Sequence, residues 1–504
     1  VNYVISFSRV LGDGYREHTH FNGNNIYGKA TYTPADGIQI TPIIGYSHVY
    51  HENPEGLSLD QYNADPKQPN GDAIPFNEYL ETERVNHGLT ARFALTDAHE
   101  IDVSGFVKRT LFTEANNHTF NHRTIITPGA SVEYDFTAAN ADRSLRNRVA
   151  VGADLQWQSI KQYEMANDHT REIDTVLLSN AEVKQRGTGI FLVDKLSIGE
   201  DWSVVGSLRY DNIHNELTDI LVLDSTSKSG NANFSKATGR IGATYSWKPE
   251  ANFFVNWGQG FMPPATEELM QNPDGFGGFN THLSSATSSG IDLGARGGFN
   301  NCAYYDVTGF YLTTDNDFDR YRVPGRGVQT FYKNVGKSKR YGLELFGKYM
   351  PMTQWEIQAA YTFSSFKYAA DSPTPINMDS SSAWFEKKYI KNGNFLPNSP
   401  QHQLYVDLQY RPIDAVTLGM SAEMMSKSFI DGANIESEAV KAYTLLHARI
   451  AYRWQCGPLL GELSLNARNL GNVKYVAFSE PDAGGNAYQP GAGREFFAGL
   501  KLHF

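Results

Sequence analysis

The chain ends in Arg494-Glu495-Phe496-Phe497-Ala498-Gly499-Leu500-Lys501-Leu502-His503-Phe504. Taken in twos from the end, Phe504, Leu502, Leu500, Ala498 and Phe496 share one face, and His503, Lys501, Gly499, Phe497 and Glu495 the other. This is the two-residue period of a strand with one apolar and one mostly polar face. Left as an open edge in water, such a strand would template aggregation. Closure removes that hazard: the last strand pairs with an early one, and the apolar face meets lipid. A strand of a soluble sandwich reads the same way locally, so the rest of the chain must decide.

The alternation recurs upstream in segments of about ten residues, the length that tilted transmembrane strands require. Trp202, Val204, Leu208 and Tyr210 oppose Ser203, Ser207, Arg209 and Asp211; Leu404, Val406, Leu408 and Tyr410 oppose Gln403, Asp407, Gln409 and Arg411. Charges keep to one face, which suits a wet barrel lumen or the wet side of a soluble sheet. The connections separate these readings. Residues 34–37, 96–99, 198–201, 248–251, 351–354 and 412–415 are short turns rich in Pro, Asp and Gly, whereas 51–83, 159–185, 262–288 and 364–401 are long. Short periplasmic turns and long outer loops mark an up-and-down outer-membrane barrel. A propeller would repeat at a near-constant spacing of about 40–45 residues, and the spacing here is irregular. Trp202, Trp247, Trp355 and Trp454 each adjoin a short turn, as a membrane-interface girdle would and core fillers would not. Counting between connections gives about 20 strands, an even number with both termini on the short-turn side.

At 504 residues the chain exceeds one ordinary soluble core. No apolar run of about 18 residues encodes a transmembrane helix. A mean hydropathy of −0.43 is no obstacle, because alternating strands average out polar. The net charge of −11 argues against nucleic-acid binding. Cys302 and Cys456 have no CxxC neighbour, which removes zinc and thioredoxin-type readings, and two unpaired thiols are expected. The opening V-N-Y-V-I-S-F-S-R-V already alternates, so the chain is expected to begin inside a domain, with export signals and anything else upstream missing.

No GxSxG, HExxH or P-loop is present, and no catalytic residue, metal ligand or cofactor is assigned. Asp315–Asp319 reads D-N-D-F-D but lacks the Gly and distal Glu of a calcium loop. Other stretches are distinctive. Residues 258–268 read G-Q-G-F-M-P-P-A-T-E-E, 334–344 N-V-G-K-S-K-R-Y-G-L-E, 395–403 F-L-P-N-S-P-Q-H-Q, and 464–475 S-L-N-A-R-N-L-G-N-V-K-Y, ahead of the closing strand. In this order and spacing the chain resembles the barrel domain of TonB-dependent outer-membrane receptors, in particular the ferric-siderophore and ferric-dicitrate receptors. D-G-Y-R-E-H at 13–18 is similar to an early barrel loop of that family. Where many relatives carry an N-P-x-L-K-P-E-like stretch, Leu283-Ser284-Ser285-Ala286-Thr287 stands here, without the Pro-Glu.

The resemblance implies an all-β fold, a large antiparallel transmembrane β-barrel with about 20 strands visible of about 22. Residues 1–504 are then one receptor barrel domain, N-terminally incomplete, with the plug domain, its TonB box and the first strands absent. It implies an outer-membrane receptor for TonB-dependent uptake of an iron complex such as a ferric siderophore or ferric dicitrate. The partners would be TonB–ExbB–ExbD through the plug, an iron-siderophore-type ligand and outer-membrane lipid, with no nucleic acid. Such work breaks no bond, so no enzyme is expected. A passive porin and a soluble β-rich binding module stay open as alternatives, as do haem, cobalamin and copper complexes as ligands. Ferric chelates are often anionic, and guanidinium groups suit carboxylate or catecholate oxygens. The candidate ligand-binding residues are therefore Arg320 and Arg322 beside Tyr321 in one outer loop, and Arg109 and Arg123 flanking His122 at another.

Overall fold

A computed structural model describes residues 1–168, 176–223, 226–248, 250–273, 277–321, 330–372, 389–482 and 485–504. Its main element is a 20-stranded sheet. The strands are Asn2–Gly12, Phe21–Ala35, Ile38–Glu52, Tyr79–Ala94, His99–Ala115, Thr119–Ala139, Leu145–Ala166, Leu177–Ile198, Trp202–Asp219, Gly230–Lys248, Ala251–Met262, Ala286–Phe299, Ala303–Asp315, Lys337–Met352, Trp355–Tyr368, His402–Ile413, Val416–Met425, Tyr443–Cys456, Leu459–Arg468 and Glu495–His503. Each pairs antiparallel with the next, the up-and-down order of a barrel wall. Two small hairpins, Phe318–Tyr321 with Phe331–Asn334 and Val476–Asp482 with Gly485–Pro490, stand on the loop side. Among the described residues no helix is long and apolar enough to cross a membrane.

The alternation sorts the side chains as a membrane wall requires. Leu463, Leu465, Ala498 and Leu500 fall together in the last ladder, and Leu208 and Leu293 are exposed on the same outer side. The inner face carries paired charge, both across strands and along them. Arg209 grips Asp154 and Asp211, each at 2.7 Å, Arg449 meets Asp407 at 3.0 Å, and Arg453 meets Glu462 at 2.6 Å. Gly189 makes room for Arg209, because a Cβ there would collide with the guanidinium. Near the short turns Glu100, Asp102 and Asp135 come within 4.8 Å of one another, and Arg92 and Arg148 lie on them at 2.9 and 2.6 Å. Partly solvated pairs contribute about 0–1 kcal/mol each. The ladder matters more, since a backbone group left unpaired in lipid costs several kcal/mol.

At the short-turn end Trp202 stacks on Tyr245 at 4.5 Å, Trp355 on Tyr410 at 4.4 Å and Trp454 beside Tyr452 at 6.1 Å. These rings form the girdle that the tryptophan positions predict. Cys302 and Cys456 both lie at short turns and both are free thiols.

Two expectations change. Region 159–185 is not a long loop: Leu145–Ala166 and Leu177–Ile198 run 22 residues each. Above the apolar band both faces of a strand meet water, so the alternation fades while the ladder continues. Likewise, strands extend to Glu52 and resume at Tyr79 in region 51–83. The second change concerns closure. Glu495–His503 ladders with Leu459–Arg468, and Asn2–Gly12 with Phe21–Ala35; among the described residues no ladder joins the first strand to the last. The two ends of the sheet are tied instead by loops. Leu57 and Tyr488 exchange backbone hydrogen bonds of 3.0 and 2.8 Å. The buried Arg16 guanidinium donates to the carbonyls of Pro54, Glu55 and Gln68 and to Gln489 Oε1 at 2.9 Å. Loops of the first four strands thus clasp the hairpin beside the last, and the sheet is curled round to that point.

Candidate functional site

The loop-side mouth is built from small cores of its own. Val183 and Leu217, at the upper ends of wall strands, bury against Leu269, Phe279 and Leu283 from the loop between Met262 and Ala286, with Phe318 and Tyr332 of the first hairpin packed alongside. Helix Thr266–Met270 is too short to persist alone; Leu269, 1% exposed, pins it in this core. On the opposite side Ile430, Val440, Val476 and Tyr488 bury against Leu59 and Tyr62. Helix Leu59–Ala64 starts there with a capping box, in which Ser58 Oγ accepts from Gln61 N at 3.3 Å and Gln61 Oε1 from Ser58 N at 2.9 Å. Each fully buried Leu or Phe stabilises such a loop by about 1.5–3 kcal/mol. These loops are therefore a shaped rim.

The hairpin Phe318–Tyr321 with Phe331–Asn334 carries the densest chemistry. Asp319 lies opposite Lys333 across the hairpin. The Asp319 carboxylate accepts from Tyr368 Oη at 3.1 Å and from Arg320 N at 2.8 Å, and burial raises its pKa. Burial pushes the Lys333 ammonium down to about 8, with the Asp319 carboxylate opposing the shift. Lys333 Nζ donates to Ser372 Oγ at 3.0 Å and sits 5.1 Å over the Tyr321 ring. Of the other acids in D-N-D-F-D, Asp317 holds Ser338 Oγ at 2.5 Å and Arg340 at 2.7 Å, and Asp315 holds Lys337 at 3.3 Å. The three carboxylates turn to three sets of partners, and do not converge as a calcium cage would.

The structure separates the sequence candidates by face. Arg123 points inward: its guanidinium meets Glu267 of the short helix at 2.8 Å and lies 5.7 Å from the Phe112 ring. Arg109 shares the outer face with Val103 and Val107, and its ladder neighbours are Val85 and Ile126. His122 is on that outer side too, stacked on Tyr163 at 4.9 Å with Nδ1 3.1 Å from Thr113 Oγ1. Arg320 is at the mouth, 3.8 Å from Glu480 of the second hairpin, and the Tyr321 ring lies 6.1 Å from that of Phe331. Arg322 lies outside the described residues. The mouth thus gathers Arg123, Arg320 and Tyr321, and leaves Arg109 and His122 on the outside. Lys333, Asp319, Tyr332 and Tyr368 escape a sequence reading, because only the hairpin pairing reveals that they meet. Cations set among phenol rings can take up an anionic, aromatic or carboxylate-bearing chelate.

The family described as TonB dependent receptor-like, beta-barrel matches residues 13–470. The chain belongs to the TonB-dependent receptors. Receptors of this family are outer-membrane transporters rather than enzymes. Among relatives, a probable TonB-dependent siderophore receptor, PiuA of Acinetobacter baumannii, is 22% identical over 289 residues, covering 57% of this chain and 37% of its own length. The catecholate siderophore receptor Fiu of Escherichia coli K12 is 22% identical over 356 residues, covering 65% and 43%. The chain therefore spans less than half the length of these curated relatives. The solved ferric citrate transporter FecA, in its unliganded form, superposes with a TM-score of 0.83 at 18% identity, covering 99% of this chain and 73% of that one. That likeness extends the barrel architecture over nearly the whole chain.

Proposed function

We propose that this TonB-dependent receptor barrel captures a ferric chelate of the siderophore type at its outer mouth and imports it with energy relayed through TonB–ExbB–ExbD. The observation that carries the reading is the mouth itself. Arg123, at the top of a wall strand, and Arg320 and Lys333, on the first loop-side hairpin, stand with Tyr321 and Tyr332 above a wet, charged lumen. The names of the sequence relatives, a siderophore receptor and a catecholate siderophore receptor, support the same ligand class. In this reading a plug domain occupies the lumen and takes the pull from TonB. The chelate binds first by cation–oxygen contacts and ring stacking, then passes inward when the plug moves.

The test is uptake of radioactive iron chelates by cells whose other iron receptors have been deleted. Uptake should saturate and should stop when TonB is removed; linear, TonB-independent entry would instead mark a passive channel. Arg320→Ala should weaken chelate binding roughly tenfold, the effect of one lost charge-assisted contact. Since Lys333 gives up its proton at about 8, affinity for an anionic chelate should fall as pH rises through that value. Lys333→Arg should remove this dependence. An unchanged pH profile in Lys333→Arg would show that Lys333 is not part of the site.

A further inference from the structure

The outer face of the barrel carries an arrangement of charge that the uptake reading does not use. On strand Lys337–Met352, Lys339 lies directly opposite Lys367 of strand Trp355–Tyr368. Like charges facing each other across a ladder are destabilising. Lys337 is on the same side two residues away, and its ammonium is taken by Asp315 at 3.3 Å. On its other flank Lys339 faces Thr313. Lys367 lies 4.5 Å from the Phe395 ring, and among the described residues neither Lys339 nor Lys367 has an acidic partner. The inward side of the same strands holds Ser338, Arg340 and Tyr368 in their bonds to Asp317 and Asp319, so alternation directs the lysines outward.

Their height is equally specific. Lys367 and Lys339 lie about twelve residues above the short-turn end of their strands, roughly 30 Å along the membrane normal at about 3.3 Å per residue and a tilt of about 40°. The apolar band of such barrels is about 25 Å tall. Next below the lysines on the same face comes Tyr341, at the upper edge of the band, with Tyr311 and Phe363 lower down and Tyr361 deeper within it. A groove of about 710 Å³ opens at Tyr361, on the strand that carries Lys367, and is lined further by Leu404, Met424 and Thr444.

We propose that Lys339 and Lys367, with Lys337 beside them, bind a phosphate of a phosphorylated glycolipid of the outer leaflet, with an acyl chain lying in the adjacent groove. An anion between the lysines removes their repulsion, and the boundary height places them at a lipid headgroup rather than among acyl chains. The loop-side position selects the outer leaflet, and with it the glycolipid.

The experiment uses the receptor purified in detergent from outer membranes, with lipid A as the probe and native mass spectrometry and a binding titration as readouts. The double variant Lys339→Gln/Lys367→Gln should bind lipid A roughly tenfold more weakly, and Lys339→Arg/Lys367→Arg should bind it as the parent does. Dephosphorylated lipid A and phosphatidylglycerol should each bind the parent far more weakly than lipid A. Heat-modifiable electrophoretic migration checks that each variant is folded, and the comparison of lipids on the unaltered receptor stands even if a variant is not. Unchanged affinity in the folded glutamine pair would overturn the proposal. So would equal binding of the dephosphorylated lipid, and equal binding of phosphatidylglycerol would overturn the choice of a glycolipid.

Discussion

At the short-turn end, Trp355 lies on Tyr410 and Trp202 on Tyr245, and the connections between strands are a few residues long. At the loop end, connections carry hairpins and short helices, and Leu269, Tyr488 and Arg16 are buried. The first end is repetitive because each turn solves the same problem, reversing the chain at a membrane interface. The second end is particular: each loop must find distant partners before any of its polar groups can be buried. Stability at the short-turn end comes from many similar, replaceable contacts, and at the mouth from few contacts that are not.

The largest expected effect tests the orientation of that contrast. Cys302 and Cys456 are free and both sit at short turns. A membrane-impermeant maleimide should leave them unlabelled on intact cells and label Cys456, the exposed one, once the outer membrane is breached. Labelling of intact cells would invert the barrel and the account of its mouth. Next, Arg16→Ala should open the clasp. It strands three carbonyls that are now satisfied, at about 1–3 kcal/mol each, so protease cleavage within residues 53–78 should rise by at least about a hundredfold. The barrel itself should keep its heat-modifiable migration; if cleavage stays unchanged, the mouth is not held at this point. The smallest effect belongs to the girdle. Trp355→Ala should lower barrel stability against urea in lipid vesicles by about 1–2 kcal/mol, the loss of one stacked pair. A loss as large as that of Arg16→Ala would erase the distinction between the ends.

The same contrast explains what could be read beforehand. Alternation and tryptophan position reported the wall, because lipid imposes one rule on every strand. Above the membrane the rule lapses, and the extra length of Leu145–Ala166 and Leu177–Ile198 went unseen for that reason. Side-chain direction was lost in the same way. Arg109 and Arg123 look equivalent in sequence, yet Arg109 lies beside Val85 and Ile126 on the outside and Arg123 meets Glu267 within. The partnership of Asp319 with Lys333 needs a hairpin register that composition does not encode. The family resemblance, by contrast, rested on motifs spread along the chain and agrees with the match over residues 13–470.

Three of the four acceptors of the Arg16 guanidinium are main-chain carbonyls, at Pro54, Glu55 and Gln68. A carbonyl is supplied by any residue. The exposed side chains of that loop can therefore vary while the mooring holds, so long as the backbone keeps its path and Leu57, Leu59 and Tyr62 keep their packing. Variation should be tolerated at the exposed positions of the loop and resisted at the arginine, so the surface of this rim can change without refolding the mouth.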